Sequence, residues 1–308
     1  PVTVPGVTVN RLCASGAEAI VQAARQVAGG DAERIIAGGV ESMSRAPFVL
    51  PRPDAAFPRN MSLVPTQVGW RQPNPKFPRA WVDSLGECAQ NLAAEYGIGR
   101  EAQDTWALRS HLRATEAWDK GLLSDRVMHV DGVPRDECVR ADTNRDKLAA
   151  LKPAFTVDGT VTAGNSSPIS DGAATFLVSR EPGSNPMARV VASATVGVSP
   201  ERFAVAPVDA IKKVLFKSGL HYRDIAAWEL NEAFAAMALS CLHLLPEIDV
   251  NRVNVNGGAI AYGHPLGASA PRVIMELCDQ LRKRGGGYGV AAACIGVGQG
   301  MAVVVHVD

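Results

Sequence analysis

Val253-Asn254-Val255-Asn256-Gly257-Gly258-Ala259-Ile260-Ala261-Tyr262-Gly263-His264-Pro265-Leu266-Gly267-Ala268-Ser269-Ala270 is the stretch whose reading decides the fold. It opens on a short strand, Val253–Val255, and passes through a glycine-rich loop. A helix follows from about Ala268 to Arg284, with Val273, Ile274, Leu277 and Leu281 on one face. Gly285–Gly287 ends that helix, and Tyr288–Cys294 is an apolar run of strand length. A turn carrying Gly296, Gly298 and Gly300 joins it to Met301–Val307, which predicts a hairpin.

The start of the chain follows the same plan. Val2–Val9 is rich in valine and threonine and reads as a strand. Small residues around Cys13 lead into a helix whose apolar face is Ala17, Ile20, Val21, Ala24, Val27 and Ala28. Gly29-Gly30 ends it, and Arg34–Val40 is a buried strand, together a strand–helix–strand unit of the parallel-sheet kind. The two plans suggest an internal duplication with a site between related halves. The expected organisation is α/β, with an N-terminal half at 1–182 and a C-terminal half at 187–308. Eight prolines from Pro47 to Pro78 and two helices, Glu87–Tyr96 and Glu101–Lys120, mark about 44–155 as a loop domain inserted in the first half. The helix read over Glu232–Leu245 is apolar nearly throughout, hence buried.

Composition narrows the partners. Across 308 residues, 31 basic and 31 acidic side chains balance, so no overall charge draws the chain to nucleic acid or to an anionic membrane. The longest apolar runs are strand-sized, not membrane spans. The first residues do not read as a signal peptide, and His306-Val307-Asp308 is not a peroxisomal address. The six cysteines make no C-x-x-C pair and read as thiols in a reducing, cytoplasmic compartment. His111, His129, His221, His243 and His306 make no metal-spaced pair, so no metal is expected.

Four islands carry chemistry. Cys13 stands at a helix N-terminus, where unpaired N–H groups favour a thiolate, although a cysteine there also serves as an inert buried side chain. His264, in an irregular loop before a helix, is placed either to take a thiol proton or to hold the loop. Cys294 closes a buried strand before glycines that present N–H donors, and reads as core or as acid/base. Asn231 follows a strand, where it caps a helix or orients a water.

These islands resemble, in order, those of the thiolase family: V-N-R-L-C-A-S-G, G-G-V-E-S-M-S, G-T-V-T-A-G-N-S-S, L-N-E-A-F-A, the glycine-rich stretch ending in H-P-L-G-A-S, and C-I-G-V-G-Q-G. The resemblance implies two similar mixed-sheet α/β halves with a loop domain inserted in the first, and a CoA-dependent acyltransferase that cleaves 3-ketoacyl-CoA or runs the reverse condensation. It implies Cys13 as acyl-carrying nucleophile, His264 as its activator and Cys294 as general acid/base. Asn231 would hold a water that completes one oxyanion hole with His264. The N–H groups of Cys13 and Gly296 would form the other. Ser167 and Arg140 would touch CoA, and Ala233 and Phe234 would line the pantetheine tunnel. CoA is then a co-substrate, with no permanently bound cofactor, and the assembly is a homodimer or homotetramer. Family members carry several dozen further residues before the nucleophile, so the first half is expected to lack its opening strands and helices. Many biosynthetic members have His-Met where this chain has Ser84-Leu85. That pair and Gly69-Trp70-Arg71 resemble degradative members of the 3-oxoadipyl-CoA type. Trp70, Arg71, Lys76, Arg79 and Trp81 then offer cations beside aromatic rings for a distal carboxylate, or are solvated surface charges. Two rivals are a decarboxylating ketoacyl synthase, which would pair its cysteine with two histidines or with His and Asn, and a non-catalytic acyl-CoA-binding protein, which would not need four reactive positions.

Overall fold

The computed structural model describes residues 1–69, 72–130, 132–183 and 185–308. In chain order the elements are α1 (Ser15–Gly29), β1 (Arg34–Ser42), β2 (Phe48–Val49), β3 (Val64–Pro65), α2 (Leu85–Glu95), α3 (Arg100–Asp119), α4 (Arg145–Ala149), β4 (Asp171–Ser179), β5 (Arg189–Gly197), α5 (Ala206–Ser218), β6 (Ile225–Leu230), α6 (Ala235–Leu244), α7 (Ala259–Tyr262), α8 (Leu266–Lys283), β7 (Gly287–Ile295) and β8 (Gln299–Val307).

The larger sheet has the order β5-β8-β7-β6 and is mixed: β8 runs antiparallel to β5 and β7, and β6 runs parallel to β7. Both faces of β7 are covered, which explains its unbroken apolar run. Val290, Ala292 and Cys294 pack with α5 and β6 side chains such as Ile211, Val214 and Trp228. Ala291 and Ile295 pack on the other face with Ile20 of α1 and Ile274 and Leu277 of α8. A smaller sheet pairs β1 with β4, antiparallel, from Arg34↔Ser179 to Ser42↔Asp171. Helices α1 and α8 lie between the two sheets, and α5 covers the far side of the larger one. The outer face of the β1–β4 pair exposes Ile36, Val40 and Leu177.

Local chemistry sets the helix ends. Helix α1 stops at Gly30, whose φ of 85° is left-handed. Helix α2 starts in a capping box: Ser84 Oγ accepts from Glu87 N at 3.2 Å, and Glu87 Oε2 accepts from Ser84 N at 2.8 Å. Helices α2, α3 and α4 lie in the stretch read from the sequence as an insertion; α2 and α3 pack on α6, and α3 also packs on α7.

Three expectations change. Val2–Val9 forms no strand; most of it is exposed and no strand pairs with it, so β-propensity alone does not suffice, and the parallel strand–helix–strand unit is not formed. Val253–Val255 makes one parallel bridge, Trp228↔Val253, and then turns, because Asn254 sits at φ 47°. Helix α6 begins at Ala235 rather than Glu232, since the backbone of Asn231 to Ala235 is bonded to other segments. The β7–β8 hairpin is as read, and α8–β7–β8 repeats the plan of α1–β1–β4: helix, glycine turn, strand, antiparallel partner.

Candidate active site

Cys13 lies in the 3-10 turn Leu12–Ala14 that feeds α1, and is 6% exposed. The turn is tightly tied. Leu12 N donates to Asn10 Oδ1 at 2.8 Å, and Ser15 Oγ donates to Leu12 O at 2.7 Å. Leu12 itself has a left-handed backbone, φ 48°. Among the described residues only three non-glycine positions have positive φ: Leu12, Asn254 and Val297. Each borders one of the expected islands, beside Cys13, before Gly257-Gly258 and after Gly296. Strain of about 1–3 kcal/mol persists at such positions where the surrounding structure fixes them, as it does at functional sites.

Asn231 follows β6 and is fully buried. Its N–H donates to Ala292 O at 2.9 Å, which ties the end of β6 to β7, so it caps no helix. Its Nδ2 stands 3.4 Å from each ring nitrogen of His264, and its Oδ1 is buried without a partner. An acceptor in that position fits a water molecule.

His264 Nδ1 is 2.6 Å from Ser269 Oγ, and Ser269 Oγ donates to Pro265 O at 3.0 Å. With the serine proton spent on Pro265, the histidine carries its own on Nδ1, and Nε2 is left with the lone pair. Complete burial, and secondarily the Arg272 cation, push the imidazole pKa down to about 4. The ring is neutral at neutral pH and able to accept a proton.

Cys294, at the end of β7, is raised well above the ordinary thiol value by burial, with Cys13 and then Cys241 adding to the push. It holds its proton, as an acid must. The influence of Cys13 on it places the two thiols in one neighbourhood. A Cβ built on Gly296 would stand 3.7 Å from Leu12 and 3.8 Å from Leu85, so the turn after Cys294 adjoins the turn of Cys13. The site residues from the sequence thus converge from α1, β6, the loop before α8, and β7.

The residues expected to meet CoA divide. Ser167 N donates to Ala233 O at 3.0 Å, and Ser166 bridges Phe234, so Ser167, Ala233 and Phe234 form one wall. Phe155 completes it with an edge-on ring 5.8 Å from Phe234; its only sequence signal is an aromatic residue just after Pro153, ahead of Thr160. Arg140 is anchored instead on α3. It is exposed, and its N–H donates to the buried His111 Nδ1 at 3.2 Å. Leu85, beside Gly296, reads in the sequence as a marker of substrate type, but Ser84 next to it serves as the cap of α2. Arg79, expected near an acyl carboxylate, is bonded to Asp83 at 2.6 Å and lies 3.7 Å from Glu87. Trp70 and Arg71 fall outside the described residues. No group of His, Cys, Asp and Glu suited to a metal occurs among the described residues, and no helix there is long and apolar enough to cross a membrane.

Comparison with known proteins agrees with this geometry. Residues 1–182 match the family "Thiolase, N-terminal domain" and residues 184–307 match "Thiolase, C-terminal domain". The beta-ketoadipyl-CoA thiolase of Pseudomonas putida is 44% identical, over 99% of this chain and 80% of its own length. The 3-oxoadipyl-CoA/3-oxo-5,6-dehydrosuberyl-CoA thiolase of Escherichia coli K12 is 43% identical with the same coverage. Among solved structures, the acetyl-CoA acetyltransferase of Bacillus anthracis superposes with a TM-score of 0.90 at 36% identity, over 99% of this chain and 80% of that one. Human mitochondrial 3-ketoacyl-CoA thiolase in complex with CoA gives 0.90 at 35%, over 100% and 79%. The chain belongs to the thiolase family and is an acyltransferase of the 3-ketoacyl-CoA thiolase kind.

Proposed function

We propose that the chain cleaves a 3-ketoacyl-CoA bearing a distal carboxylate, of the 3-oxoadipyl-CoA class, with the acyl group carried on Cys13. The observation that carries the site reading is the buried Asn231–His264 pair with an orphan Asn231 Oδ1, beside the linked turns of Cys13 and Gly296. His264 Nε2 takes the Cys13 proton. The sulfur attacks the C3 ketone, and the C2–C3 bond breaks. Its electron pair passes to the enolate of the shorter acyl-CoA, held by His264 and a water on Asn231. The protonated Cys294 delivers a proton to C2. The thiol of a second CoA then gives its proton to the Cys294 thiolate and attacks the acyl carbonyl, whose oxygen lies at the N–H groups of Cys13 and Gly296; Cys13 leaves as thiolate and takes its proton back from His264. The same steps reversed give condensation.

CoA lies along the wall of Ser167, Ala233, Phe234 and Phe155, with Arg140 at its outer end. The division into halves at 1–182 and 187–308, with the insertion at about 44–155, is part of the same reading. So is action in the cytoplasm, where CoA and thiols coexist, as a homodimer or homotetramer. The inserted segment exposes Phe48, Phe57 and Leu63, apolar side chains that a second copy would cover. Substrate class rests on the beta-ketoadipyl-CoA thiolases at 43–44% identity.

The test is thiolysis by the purified enzyme, followed by loss of 3-ketoacyl-CoA absorbance on adding CoA. The specificity constant for 3-oxoadipyl-CoA should exceed that for 3-oxohexanoyl-CoA by about tenfold or more, as for one charged contact. Cys13→Ala should abolish turnover, and labelled succinyl-CoA should mark the Cys13 peptide alone. Equal rates on the two substrates would remove the carboxylate preference, and a label on another cysteine would remove the assigned nucleophile.

A further inference from the structure

We propose that Glu232 is a positioning residue for the half of the site that holds the enolate, and that it acts from the inserted segment. It rests on the reading of Asn231 and His264 given above. Glu232 follows Asn231 directly, is 1% exposed, and reaches no reacting atom in that mechanism. Its carboxylate gathers donors from three parts of the chain. Oε1 accepts from Trp106 Nε1 at 3.0 Å and from Asn254 Nδ2 at 2.8 Å. Oε2 accepts from Ser110 Oγ at 2.7 Å and, at the long end, from Ile260 N at 3.4 Å. All four partners donate, so the position needs a group that only accepts. A carboxylate meets that need and an amide does not.

These partners belong to the loops that carry Asn231 and His264. The Asn254 amide grips the residue before Asn231 from both sides, accepting from Leu230 N and donating to Leu230 O, each at 2.8 Å. Ile260 lies in α7, which leads directly to Gly263-His264. Ser110 Oγ also accepts from Gly258 N at 3.0 Å. A side chain at Gly258 would collide with the Glu232 carboxylate, so loop and carboxylate are closed on each other. Trp106 and Ser110 lie on α3 of the inserted segment. Glu232 therefore binds α3 to the two loops whose spacing sets the Asn231–His264 pair. None of these donors lies in the turns of Cys13 or Gly296, which form the other oxyanion hole.

The consequence is an asymmetry between half-reactions. Removing the acceptor should loosen the Asn231–His264 hole, which serves carbon–carbon cleavage, more than the Cys13–Gly296 hole, which serves acyl transfer. The experiment compares two rates in the full chain: turnover in the thiolysis of 3-oxoadipyl-CoA, and acylation of Cys13 by labelled succinyl-CoA, whose acyl group is the one that attack at C3 leaves on the sulfur. For Glu232→Gln the ratio of the first rate to the second should fall about tenfold or more, and Glu232→Asp should recover most of it. The double variant Trp106→Phe/Ser110→Ala, which leaves every reacting group in place, should lower the ratio about threefold or more. If the Glu232 variants fail to fold, a lowered ratio in the double variant supports the proposal and an unchanged ratio overturns it. Equal falls in both rates, or an unchanged ratio in the folded variants, overturn it as well. Absence of Cys13 acylation by succinyl-CoA in the unaltered protein would instead overturn the reading of the site on which it rests.

Discussion

His264 shows how one side chain's surroundings fix its chemistry. A solvated histidine titrates near 6.5 and would be partly charged, and useless as a base, through mildly acidic pH. Here burial and the Arg272 cation lower the pKa to about 4. The neutral, proton-accepting form therefore persists as pH falls past 6.5 and is lost only as pH approaches 4. The acid limb of Cys13 acylation by succinyl-CoA, followed by quenched mass spectrometry from about pH 4 to 8, should lie below the ordinary histidine range. A limb centred near 6.5 would show that His264 is solvated or is not the base. Cys294 is shifted the opposite way for the same reason, since burial disfavours whichever form carries charge: cationic imidazole in one case, thiolate in the other.

Among the elements, the contact between α1 and α8 sets the distance between Cys13, the proposed nucleophile, and His264, the proposed base. It is made on glycine. A Cβ on Gly16 would strike the Pro271 ring and come within 2.6 Å of Gly267 O, and one on Gly39 of β1 would meet the same carbonyl. Gly16→Ala should push the two helix starts apart, costing about 1–3 kcal/mol of stability by overpacking. Thiolysis should fall by about tenfold or more, as expected when reacting groups shift by a fraction of an ångström. Gly6→Ala, with nothing within 4 Å, is the control. Urea midpoints and turnover rates for the two variants decide it, and equal behaviour would mean that the contact yields. The same elements show what the sequence can convey. The apolar face of α8 and the two-sided apolar run of β7 are legible because periodicity reports burial directly. Val2–Val9 misleads because a strand needs a partner, and valine-rich composition carries no information about one. Cys13, Asn231, His264 and Cys294 are visible as islands. The grip of Asn254 on Leu230 and of Glu232 on α3 is not, because it joins residues more than twenty to over a hundred positions apart. The capping box of Ser84 with Glu87 is a local pattern, and explains that serine without reference to any substrate.

At the scale of the whole molecule, the chain buries carboxyl groups where its larger sheet meets α8, and this should make its stability depend on pH in an unusual direction. Glu229 of β6 is fully buried. Gln280 Nε2 donates to its Oε1 at 2.6 Å and to Glu276 Oε1 at 3.1 Å, and its Oε2 has no partner. The groups facing it are Glu276 and Arg272 of α8 and Glu232 beyond β6. Burial comes first and Glu276 second in raising its pKa well above the usual carboxylate range, with Arg272 opposing. Glu276, in contrast, is paired with Arg126 at 2.5 Å and accepts from Asn256 at 2.6 Å, so that cation is spent on it. Between the unfolded and folded pKa values the native state holds a proton on Glu229 that the unfolded chain has released. Stability therefore falls as pH rises through that window, by up to roughly 1.4 kcal/mol per pH unit for one proton. Below the ordinary carboxylate range both states are protonated and this contribution is flat. Glu229→Gln keeps the shape and the neutral form but has nothing to ionise. Urea midpoints of the two proteins should thus run in parallel below about pH 4 and diverge above it, with the variant gaining on the parent as pH rises toward about 8. Curves that stay parallel over the whole range would mean that Glu229 is charged in the native state, with its cost met by Gln280 and Arg272.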